Sequence, residues 1–366
     1  MSGKLLVTGS GGLVGSEAAL YYLQKGWQVY GLENNMRSYF FGENGDVSGN
    51  ISQLTSWEKY HHLDMDVRDR EGTSQIFLRN GPFDLVIHAA AQPSHDWSKK
   101  EPFIDFDINA VGTLNLLENF RLHSPAGVFI FTSTNKVYGD RPNLARLVES
   151  ELRYDFDWQQ EIAGVSVNGV SELMSIDQST HSLFGASKVA ADVLAQEYGQ
   201  YFDLNVGIFR GGCLTGSRHS AVELHGFLAY LVTCGIEKKH YTIFGYKGKQ
   251  VRDQIHSSDV IAAFDEFYKN PRKGKTYNIG GGKENSTSIL EVIKMLKLDF
   301  GIRVKYSLIN KNRVGDHVCY YTDLSRFKND YPDWKIKMSL KQIVKDIIEK
   351  KIKYKSLPPK VGEENN

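Results

Sequence analysis

Short apolar runs alternate with helical patterns along the first third of the chain. The apolar runs predict buried strands at Leu5–Val7, Trp27–Leu32, Tyr60–Leu63, Leu85–Ile87 and Val128–Phe131. Between them, apolar residues at helical spacing predict helices at Leu13–Gln24 and Ile104–Arg121. Because successive parallel strands need crossover connections, this alternation predicts an α/β fold with a doubly wound parallel sheet.

The alternation weakens after the fifth strand. Residues 141–180 are polar without a clear period, which indicates an insertion over the edge of the sheet. A helix pattern resumes near Phe184, and Val206–Phe209 predicts a strand that returns to the sheet. Earlier in the chain, the Gly- and Asn-rich stretch Phe41–Asn50 predicts a loop.

These changes predict two interleaved domains and a tail. Residues 1–210 are expected to form the sheet domain, with the insertion at 141–180. The shorter segments and longer loops of residues 211–352 predict a smaller mixed lobe. Residues 353–366 contain too little apolar surface to fold and are expected to form a flexible tail.

Composition narrows the class of partner. The 44 basic and 43 acidic residues give a formal net charge of +1, so neither nucleic acid nor an anionic membrane surface is expected as partner. No apolar run approaches the ~20 residues that span a bilayer. Cys213, Cys234 and Cys319 are odd in number and widely spaced, which predicts a cytoplasmic protein without a disulfide framework or a metal site.

The strand–turn–helix at the start carries the glycine pattern TGSGGLVG. Gly9, Gly12 and Gly15 would let the backbone turn tightly and approach a pyrophosphate at the N-terminus of the following helix. Glu33 ends the second strand, where its carboxylate is suited to accept hydrogen bonds from both hydroxyls of the adenosine ribose. A carboxylate there disfavours a 2′-phosphate, so the sequence predicts NAD rather than NADP.

Four further stretches place polar or small residues near the predicted strands, three after or at the end of a strand and one inside a helix. DMDVRD places Asp66 after the third strand, and HAAAQPS places Ala89–Ala91 after the fourth. DINAVGTLNLLE puts Asn109 inside a helix, and FTSTNKVYGD ends the fifth strand with polar residues 133–136. Polar groups at the carboxyl ends of strands lie where doubly wound folds bind ligands.

Together these motifs resemble the extended short-chain dehydrogenase/reductase family, and within it the nucleotide-sugar epimerases and dehydratases, to about residue 350. The resemblance implies a Rossmann domain that retains NAD and a C-terminal lobe that binds the nucleotide sugar. STNKVYGD and GKQVRDQIH are most similar to the epimerases that act at C2 of CDP-sugars. Related dehydratases carry an Asp–Glu pair at the position of Asn135 and Lys136, so dehydration is disfavoured.

The resemblance also implies roles for individual residues. It implies cofactor contacts from Gly9, Gly12, Leu13, Val14, Glu33, Asn34, Asp66, Val67, Ala89, Ala90, Ala91, Asn109, Ser133 and Lys188. It implies contacts to the sugar nucleotide from Gln92, Ser94, Thr134, Asn135, Lys136, Cys213, Arg252 and Arg313. The catalytic positions are Thr134, Phe184 and Lys188.

The diphosphate is expected to be held by Arg252, with Arg313 as a further candidate, because the guanidinium fork suits phosphate. The family's second arginine in this region corresponds to Val318, which is a departure from the pattern. Family members commonly form homodimers through two long helices, here near 104–121 and 184–200.

The larger departure is Phe184. In the family a tyrosine at this position takes the proton from a sugar hydroxyl, and Lys188 makes its phenol more acidic. Phenylalanine keeps the ring and lacks the hydroxyl. Since loss of a positioned general base costs ~10²–10⁴-fold in rate, the chain as written is expected to be nearly inactive.

Three interpretations of Phe184 remain open from the sequence. The chain is an engineered Tyr-to-Phe variant, or a natural relative that binds NAD or a sugar nucleotide without catalysis. In the third interpretation another residue, such as Tyr138 or His181, supplies the base. For the reaction, the alternatives to a C2 epimerase are a C4 epimerase or decarboxylase of a UDP-sugar and a non-catalytic binding protein.

Overall fold

The computed structural model describes residues 2–218, 226–311 and 316–356. The strands are β1 Lys4–Thr8, β2 Gln28–Leu32, β3 Tyr60–Leu63, β4 Leu85–His88, β5 Val128–Thr134, β6 Leu147–Glu149, β7 Tyr154–Phe156, β8 Val165–Ser166, β9 Gly169–Val170, β10 Asn205–Gly211, β11 Cys213–Thr215, β12 His240–Phe244, β13 Val251–His256, β14 Lys275–Ile279, β15 Ser286–Ser288, β16 Lys305–Ile309 and β17 Cys319–Tyr320.

The α-helices are α1 Leu13–Gln24, α2 Arg37–Phe41, α3 Ser48–Thr55, α4 Arg70–Asn80, α5 His95–Lys100, α6 Pro102–Phe106, α7 Gly112–His123, α8 Ser182–Tyr201, α9 Phe227–Glu237, α10 Ser257–Lys269, α11 Ile289–Phe300, α12 Ser325–Asp330 and α13 Leu340–Ser356. Short 3₁₀ turns occur at Gly42–Gly45, Asn135–Tyr138, Arg141–Leu144 and Tyr246–Gly248. No helix in these ranges is long and apolar enough to cross a membrane.

Seven strands form the central sheet, in the order β14-β10-β5-β4-β1-β2-β3. Every pairing in this sheet is parallel, so the carboxyl ends of its strands meet at one edge. The strands are apolar on both faces and pack into two separate hydrophobic clusters. This arrangement confirms the doubly wound fold, because only sheets covered on both faces bury such continuous apolar strands.

A second, four-stranded sheet pairs β13 with β11, β15 and β17. Strand β10 lies in the central sheet after the insertion, and β14 joins the same sheet from within the predicted smaller lobe. The domain boundary near residue 210 stays a prediction.

Several segments differ from the sequence prediction. Much of the predicted loop Phe41–Asn50 is helical, because a 3₁₀ turn and the start of α3 occupy it. The predicted helix Ile104–Arg121 is interrupted by a π-helical turn at Asp107–Val111. The insertion contains two short antiparallel hairpins, β6–β7 and β8–β9. Helix α13 continues to Ser356, through the first residues of the predicted tail, and the rest of that tail lies outside the described residues.

Candidate active site

A cleft of about 1170 Å³ opens at the carboxyl edge of the central sheet. The loops after β1, β2, β4 and β5 line one side of it. Residues of β11, β12 and β13 and the N-terminus of α9 line the other side. The cleft is therefore bounded by both sheets, at the place where doubly wound folds bind ligands.

The glycine loop brings backbone into close contact at the start of α1. Gly9 has a φ of +68°, and a Cβ there would lie 2.8 Å from the backbone nitrogen of Ala90. A Cβ on Gly15 would lie 2.0 Å from the carbonyl oxygen of Gly9. Gly12 is the N-cap of α1 and offers no side chain to the N–H groups of the first turn. The loop thus presents backbone donors and a positive helix end to the cleft, which fits a pyrophosphate.

Glu33 is held at the carboxyl end of β2. Its carboxylate accepts hydrogen bonds from the backbone nitrogens of Asn35, at 2.8 Å, and Gly11, at 3.1 Å. Burial raises the pKa of the Glu33 carboxyl, although these N–H groups favour its charged form. The side chain is thereby fixed beside the glycine loop, as a ribose-binding carboxylate requires.

Asp66 lies in the same cleft as Val67, after β3. Burial disfavours its charge, but the Arg68 guanidinium, which binds both carboxylate oxygens at 2.8 and 3.0 Å, lowers its pKa. Asn34 also donates to Asp66, at 3.0 Å. Leu13, Val14, Ala89, Ala90 and Ala91 line the neighbouring part of the cleft. The structure thus gathers these predicted cofactor contacts along one side.

The predicted catalytic positions come together from β5 and α8. Thr134 ends β5, and Phe184 and Lys188 lie one helical turn apart on α8; all three line the cleft. Lys188 is buried, and its Nζ donates to the carbonyl oxygen of Thr132 at 2.8 Å. Burial lowers the pKa of this amine to about 7, against the opposing charges of Asp192 and Asp105.

The ring of Phe184 is in contact with a histidine that the sequence did not single out. The His95 ring packs edge-on against Phe184, with 5.1 Å between ring centroids. Nδ1 of His95 lies 2.7 Å from Oγ of Ser182, the first residue of α8. His95 and Ser182 both line the cleft. The signal for His95 was its place directly after HAAAQPS, among the loops at the carboxyl edge.

A cluster of charged side chains lies where the loop after β5 meets β13. Arg252 of β13 donates to the carboxylate of Asp316 and to the carbonyl of His317, and Lys136 Nζ lies 3.9 Å from Asp316. Burial lowers the pKa of Lys136 to about 8, and Asp316 opposes this shift. Against burial, Arg252 and Lys136 hold the pKa of Asp316 well below its usual range.

Other predicted substrate contacts lie near this cluster or outside the described chain. Asn135 and Cys213 line the cleft, and burial raises the pKa of the Cys213 thiol to about 11. Arg313 lies outside the described residues. Asp316 was not singled out from the sequence, since only its pairing with Arg252 reveals it.

Three predicted contacts are not brought to the cleft. Asn109, in the π-helical turn, bridges the main chain of Gln92: its Oδ1 accepts from the nitrogen at 3.0 Å and its Nδ2 donates to the oxygen at 3.1 Å. Gln92 donates to Asp105, and Ser94 caps α5 by accepting from Trp97. None of Gln92, Ser94 and Asn109 is among the cleft-lining residues of the described chain. Their side chains hold the loop after β4 against neighbouring helices.

Ser133 connects the cleft to a buried ion pair. It lines the cleft, and its Oγ donates to Asp192 at 2.5 Å. Asp192 also receives two hydrogen bonds from Arg210, at 2.8 and 3.0 Å. Arg210 in turn donates to the hydroxyl of Tyr138 at 3.2 Å, and Tyr138 donates to Asn278 at 2.6 Å.

Neither residue suggested as a substitute base reaches the cleft in the described chain. Tyr138 is fully buried in the network with Arg210, and burial raises the pKa of its phenol to about 12. His181 donates from Nε2 to the carbonyl oxygen of Val137 at 2.8 Å. Within the described chain, neither side chain lines the cleft.

A glycine loop, a ribose-binding carboxylate, a threonine at the end of β5 and a lysine on α8 define a dinucleotide-dependent enzyme of the short-chain dehydrogenase/reductase class. Residues 5–280 match the NAD dependent epimerase/dehydratase family. The chain therefore belongs to that family, and the predicted class and cofactor are confirmed: it is an NAD-dependent nucleotide-sugar epimerase by enzyme type.

Two curated relatives span nearly the whole chain. It is 32% identical over 345 residues to CDP-paratose 2-epimerase of Salmonella typhi, covering 92% of this chain and 96% of the relative. It is 25% identical over 344 residues to a putative UDP-glucose 4-epimerase of Methanocaldococcus jannaschii, covering 94% and 97%.

Solved structures share the fold at lower identity. A Tyr-to-Phe mutant of UDP-glucuronic acid 4-epimerase from Bacillus cereus, in complex with UDP-4-deoxy-4-fluoro-glucuronic acid and NAD, superposes with a TM-score of 0.75 at 23% identity, covering 96% of this chain and 99% of that one. UDP-glucose 4-epimerase of Thermus thermophilus, in complex with NAD, has a TM-score of 0.72 at 22% identity, covering 95% and 98%.

Proposed function

We propose that this enzyme inverts C2 of a CDP-sugar through a transient keto sugar. The observation that carries the proposal is the 32% identity, across almost the full length of both chains, to CDP-paratose 2-epimerase. Asn135 and Lys136 in the cleft support it, because an amide beside an ammonium is a poor acid–base pair for eliminating water.

Bound NAD⁺ would supply reversible hydride acceptance: a hydride would leave a ring carbon and return to its opposite face, without net consumption of the cofactor. The glycine loop and Glu33 would hold its pyrophosphate and adenosine ribose. Lys188 would bind the nicotinamide ribose, and Thr134 would orient the reacting sugar hydroxyl. Ser133 is proposed as a further cofactor contact. For Asn109, whose amide bridges Gln92, a positioning role is proposed instead.

The nucleotide sugar would meet the charged cluster between the loop after β5 and β13. Arg252 and Lys136 supply positive charge there, and Asp316 keeps both in place. Arg313 is proposed as a second diphosphate contact on the sequence resemblance alone. A guanidinium fork and an ammonium favour a diphosphate over a neutral ligand.

Phe184 is proposed to disable the usual base, so that the chain as written turns over far more slowly than a tyrosine form. The Tyr-to-Phe mutant of the Bacillus cereus enzyme supports this, because that protein was solved with NAD and a substrate analogue bound. The same substitution here would leave binding intact and remove the proton acceptor.

A second candidate is inversion at C4 of a UDP-sugar. It is favoured by relatives over nearly the full chain, such as the UDP-glucose 4-epimerase of Neisseria meningitidis serogroup C, 28% identical over 355 residues. Decarboxylation of a UDP-sugar and NAD binding without chemistry are further alternatives, and the product distinguishes all of them.

We further propose a homodimer through α7 and α8. These helices contact each other, and Leu114, Leu122, Val193 and Tyr201 on them are exposed. In each helix the two apolar side chains are eight residues apart and lie on the same side. Two such pairs of helices would cover these side chains in a four-helix interface.

The test is incubation of the purified protein, without added cofactor, with CDP-, UDP- and GDP-sugars, followed by NMR of the products. Inversion at C2 of a CDP-sugar supports the proposal, and inversion at C4 of a UDP-sugar replaces it with the second candidate. Loss of CO₂ indicates a decarboxylase. If neither the chain nor its Phe184→Tyr form changes any sugar while NAD is bound, the protein is a binding module.

A further inference from the structure

We propose that His95, oriented by Ser182, accepts the sugar hydroxyl proton in the chain as written, where Phe184 lacks the phenol. This inference rests on the proposed epimerase function. It assigns the slow turnover that remains without a tyrosine to a histidine–serine pair from α5 and α8.

The first argument is position. His95 touches the Phe184 ring edge-on at 5.1 Å between centroids, with 78° between ring planes. It lines the same cleft as Thr134 and Lys188. An imidazole here lies beside the place where a phenol at position 184 would accept the proton of the sugar hydroxyl. Imidazole is also the side chain best matched to proton transfer near neutral pH.

The second argument is orientation. Ser182 Oγ lies 2.7 Å from Nδ1 of His95 and accepts a hydrogen bond from the backbone nitrogen of Gly185 at 3.3 Å. The serine oxygen has a second lone pair for an Nδ1–H donor, and that tautomer places the basic lone pair of the imidazole on Nε2. A base whose other nitrogen is fixed by a third group has the geometry of activated catalytic histidines.

The backbone at Ser182 is unusual as well. It has a φ of +60°, in the left-handed region that non-glycine residues rarely adopt. This conformation begins α8 and sets the serine oxygen against both Gly185 and His95.

Other titratable groups of the cleft are less suited. Lys136 is paired with Asp316. Burial raises the pKa of the Cys213 thiol to about 11, so this thiol is protonated at neutral pH. In the described chain, the elements packed around His95 carry these charged groups: Asp96, Lys99 and Lys100 of α5, Asp105 of α6, and Lys188, Asp192 and Glu197 of α8. Asp105 is bound to Ser187 and Gln92, and Lys188 to Thr132.

The sugar O–H bond breaks and its proton passes to Nε2 of His95. At the same time, the hydrogen on the carbon that bears this hydroxyl leaves as hydride to bound NAD⁺. The products are a ketone, an imidazolium and the reduced cofactor. In the return direction the imidazolium gives its proton back to the sugar oxygen as the hydride returns to carbon.

The activity test is a double-mutant cycle with His95→Gln and Phe184→Tyr. In the chain as written, His95→Gln is expected to lower kcat at least about tenfold. In the Phe184→Tyr background the loss should be several-fold smaller, because the phenol takes the proton. His240→Gln is the matched control, since His240 also pairs with a serine, Ser307, at 2.8 Å, but is exposed and outside the cleft.

A readout independent of turnover is ¹⁵N NMR of the imidazoles in the cofactor-free protein. The His95 signals are assigned by their loss in His95→Gln. Addition of CDP-glucose should shift them and leave those of His240 in place, and Ser182→Ala should change the ratio of His95 tautomers. Absence of both effects overturns the inference.

The failures are distinguishable. Equal kcat for the chain and its His95→Gln variant overturns the role of His95 and leaves the epimerase function standing. No turnover in the chain as written, with turnover in Phe184→Tyr, also overturns it. No turnover in any form, including Phe184→Tyr, overturns the proposed function itself.

Discussion

Lys188 reaches from α8 to the main chain of β5, where its Nζ lies 2.8 Å from the carbonyl oxygen of Thr132. The amine also lies over the ring of Phe131, 4.2 Å from its centroid. It is therefore held rigidly beside Phe184, at the end of the strand that carries Thr134. The cleft keeps the lysine and the threonine of a catalytic site around a ring that has no hydroxyl.

The Phe184→Tyr variant is expected to raise kcat by ~10²–10⁴-fold, because a positioned general base contributes about that much. Steady-state assays followed by NMR measure the change. Phe184→Leu, which also lacks a hydroxyl, is the control and should give no increase. An equal kcat for the Tyr and Phe forms would show that position 184 does not supply the base.

Lys188→Met is expected to stabilise the protein near neutral pH. The folded-state pKa of Lys188 is about 7, below the ~10.4 of an unfolded chain, so the unfolded state binds more protons between these values. The parent therefore gains stability as pH rises from about 7 to about 10. Urea unfolding should show Lys188→Met more stable by at least about 2 kcal/mol at pH 7, with the gap closing towards pH 10. A gap that is constant with pH would contradict this.

The affinity for a CDP-sugar should fall as pH rises above about 8. Lys136 has a pKa near 8 in the ligand-free cleft, and its loss of charge removes an attraction for the diphosphate. If binding requires Lys136 to be protonated, Kd rises by up to about tenfold for each pH unit above the pKa of Lys136. Calorimetric titration from pH 7 to 9.5 should show this rise for the parent and a flatter profile for Lys136→Met. A matching slope in both proteins would assign the effect to another group.

Gly15→Ala is expected to abolish NAD retention, because its Cβ would lie 2.0 Å from the carbonyl oxygen of Gly9. The matched control is Gly49→Ala in α3, where a Cβ meets no atom within 4 Å and alanine favours the helix. The NAD content of the purified proteins, read by absorbance after denaturation, checks the prediction. Full NAD content in Gly15→Ala would show that the loop does not need this close approach.

Glu33→Ser is expected to narrow the preference for NAD over NADP by ten- to a hundredfold, or about 1.4–2.8 kcal/mol, the range for losing charged hydrogen bonds. Removing the carboxylate removes both the ribose acceptor and the repulsion of a 2′-phosphate. Competition between the two cofactors for the emptied protein, followed by fluorescence, measures the ratio. Glu43→Ser, in the 3₁₀ turn Gly42–Gly45 and outside the cleft, should leave it unchanged.

The parts of the fold read correctly from sequence were those that local periodicity determines. Helix α1 has the predicted bounds Leu13–Gln24, and β3 the predicted Tyr60–Leu63. The segment Phe41–Asn50 was mistaken for a loop because its glycines and asparagines mask short helices that tertiary contacts stabilise. The second sheet was missed because strands such as β11 and β17 have only two or three residues.

The site was predictable where a motif carries its own geometry, as at Gly9, Gly15 and Glu33. It was not predictable where the partner is distant in sequence. Asn109, a predicted cofactor contact, lies in the π-helical turn, where its amide bridges the main chain of Gln92 in the loop after β4. The contact of His95 with Ser182 joins α5 to α8 and has no sequence signature.

The last strand of the central sheet has a consequence for how the protein is made. Strand β14 pairs with β10, yet it begins at Lys275, whereas β10 ends at Gly211. A nascent chain of about 210 residues on the ribosome therefore exposes the open backbone edge of β10, which is a site for wrong pairing. The cofactor half is expected to complete its fold only after much of the second half has been synthesised, and the two halves should not survive expression as separate polypeptides.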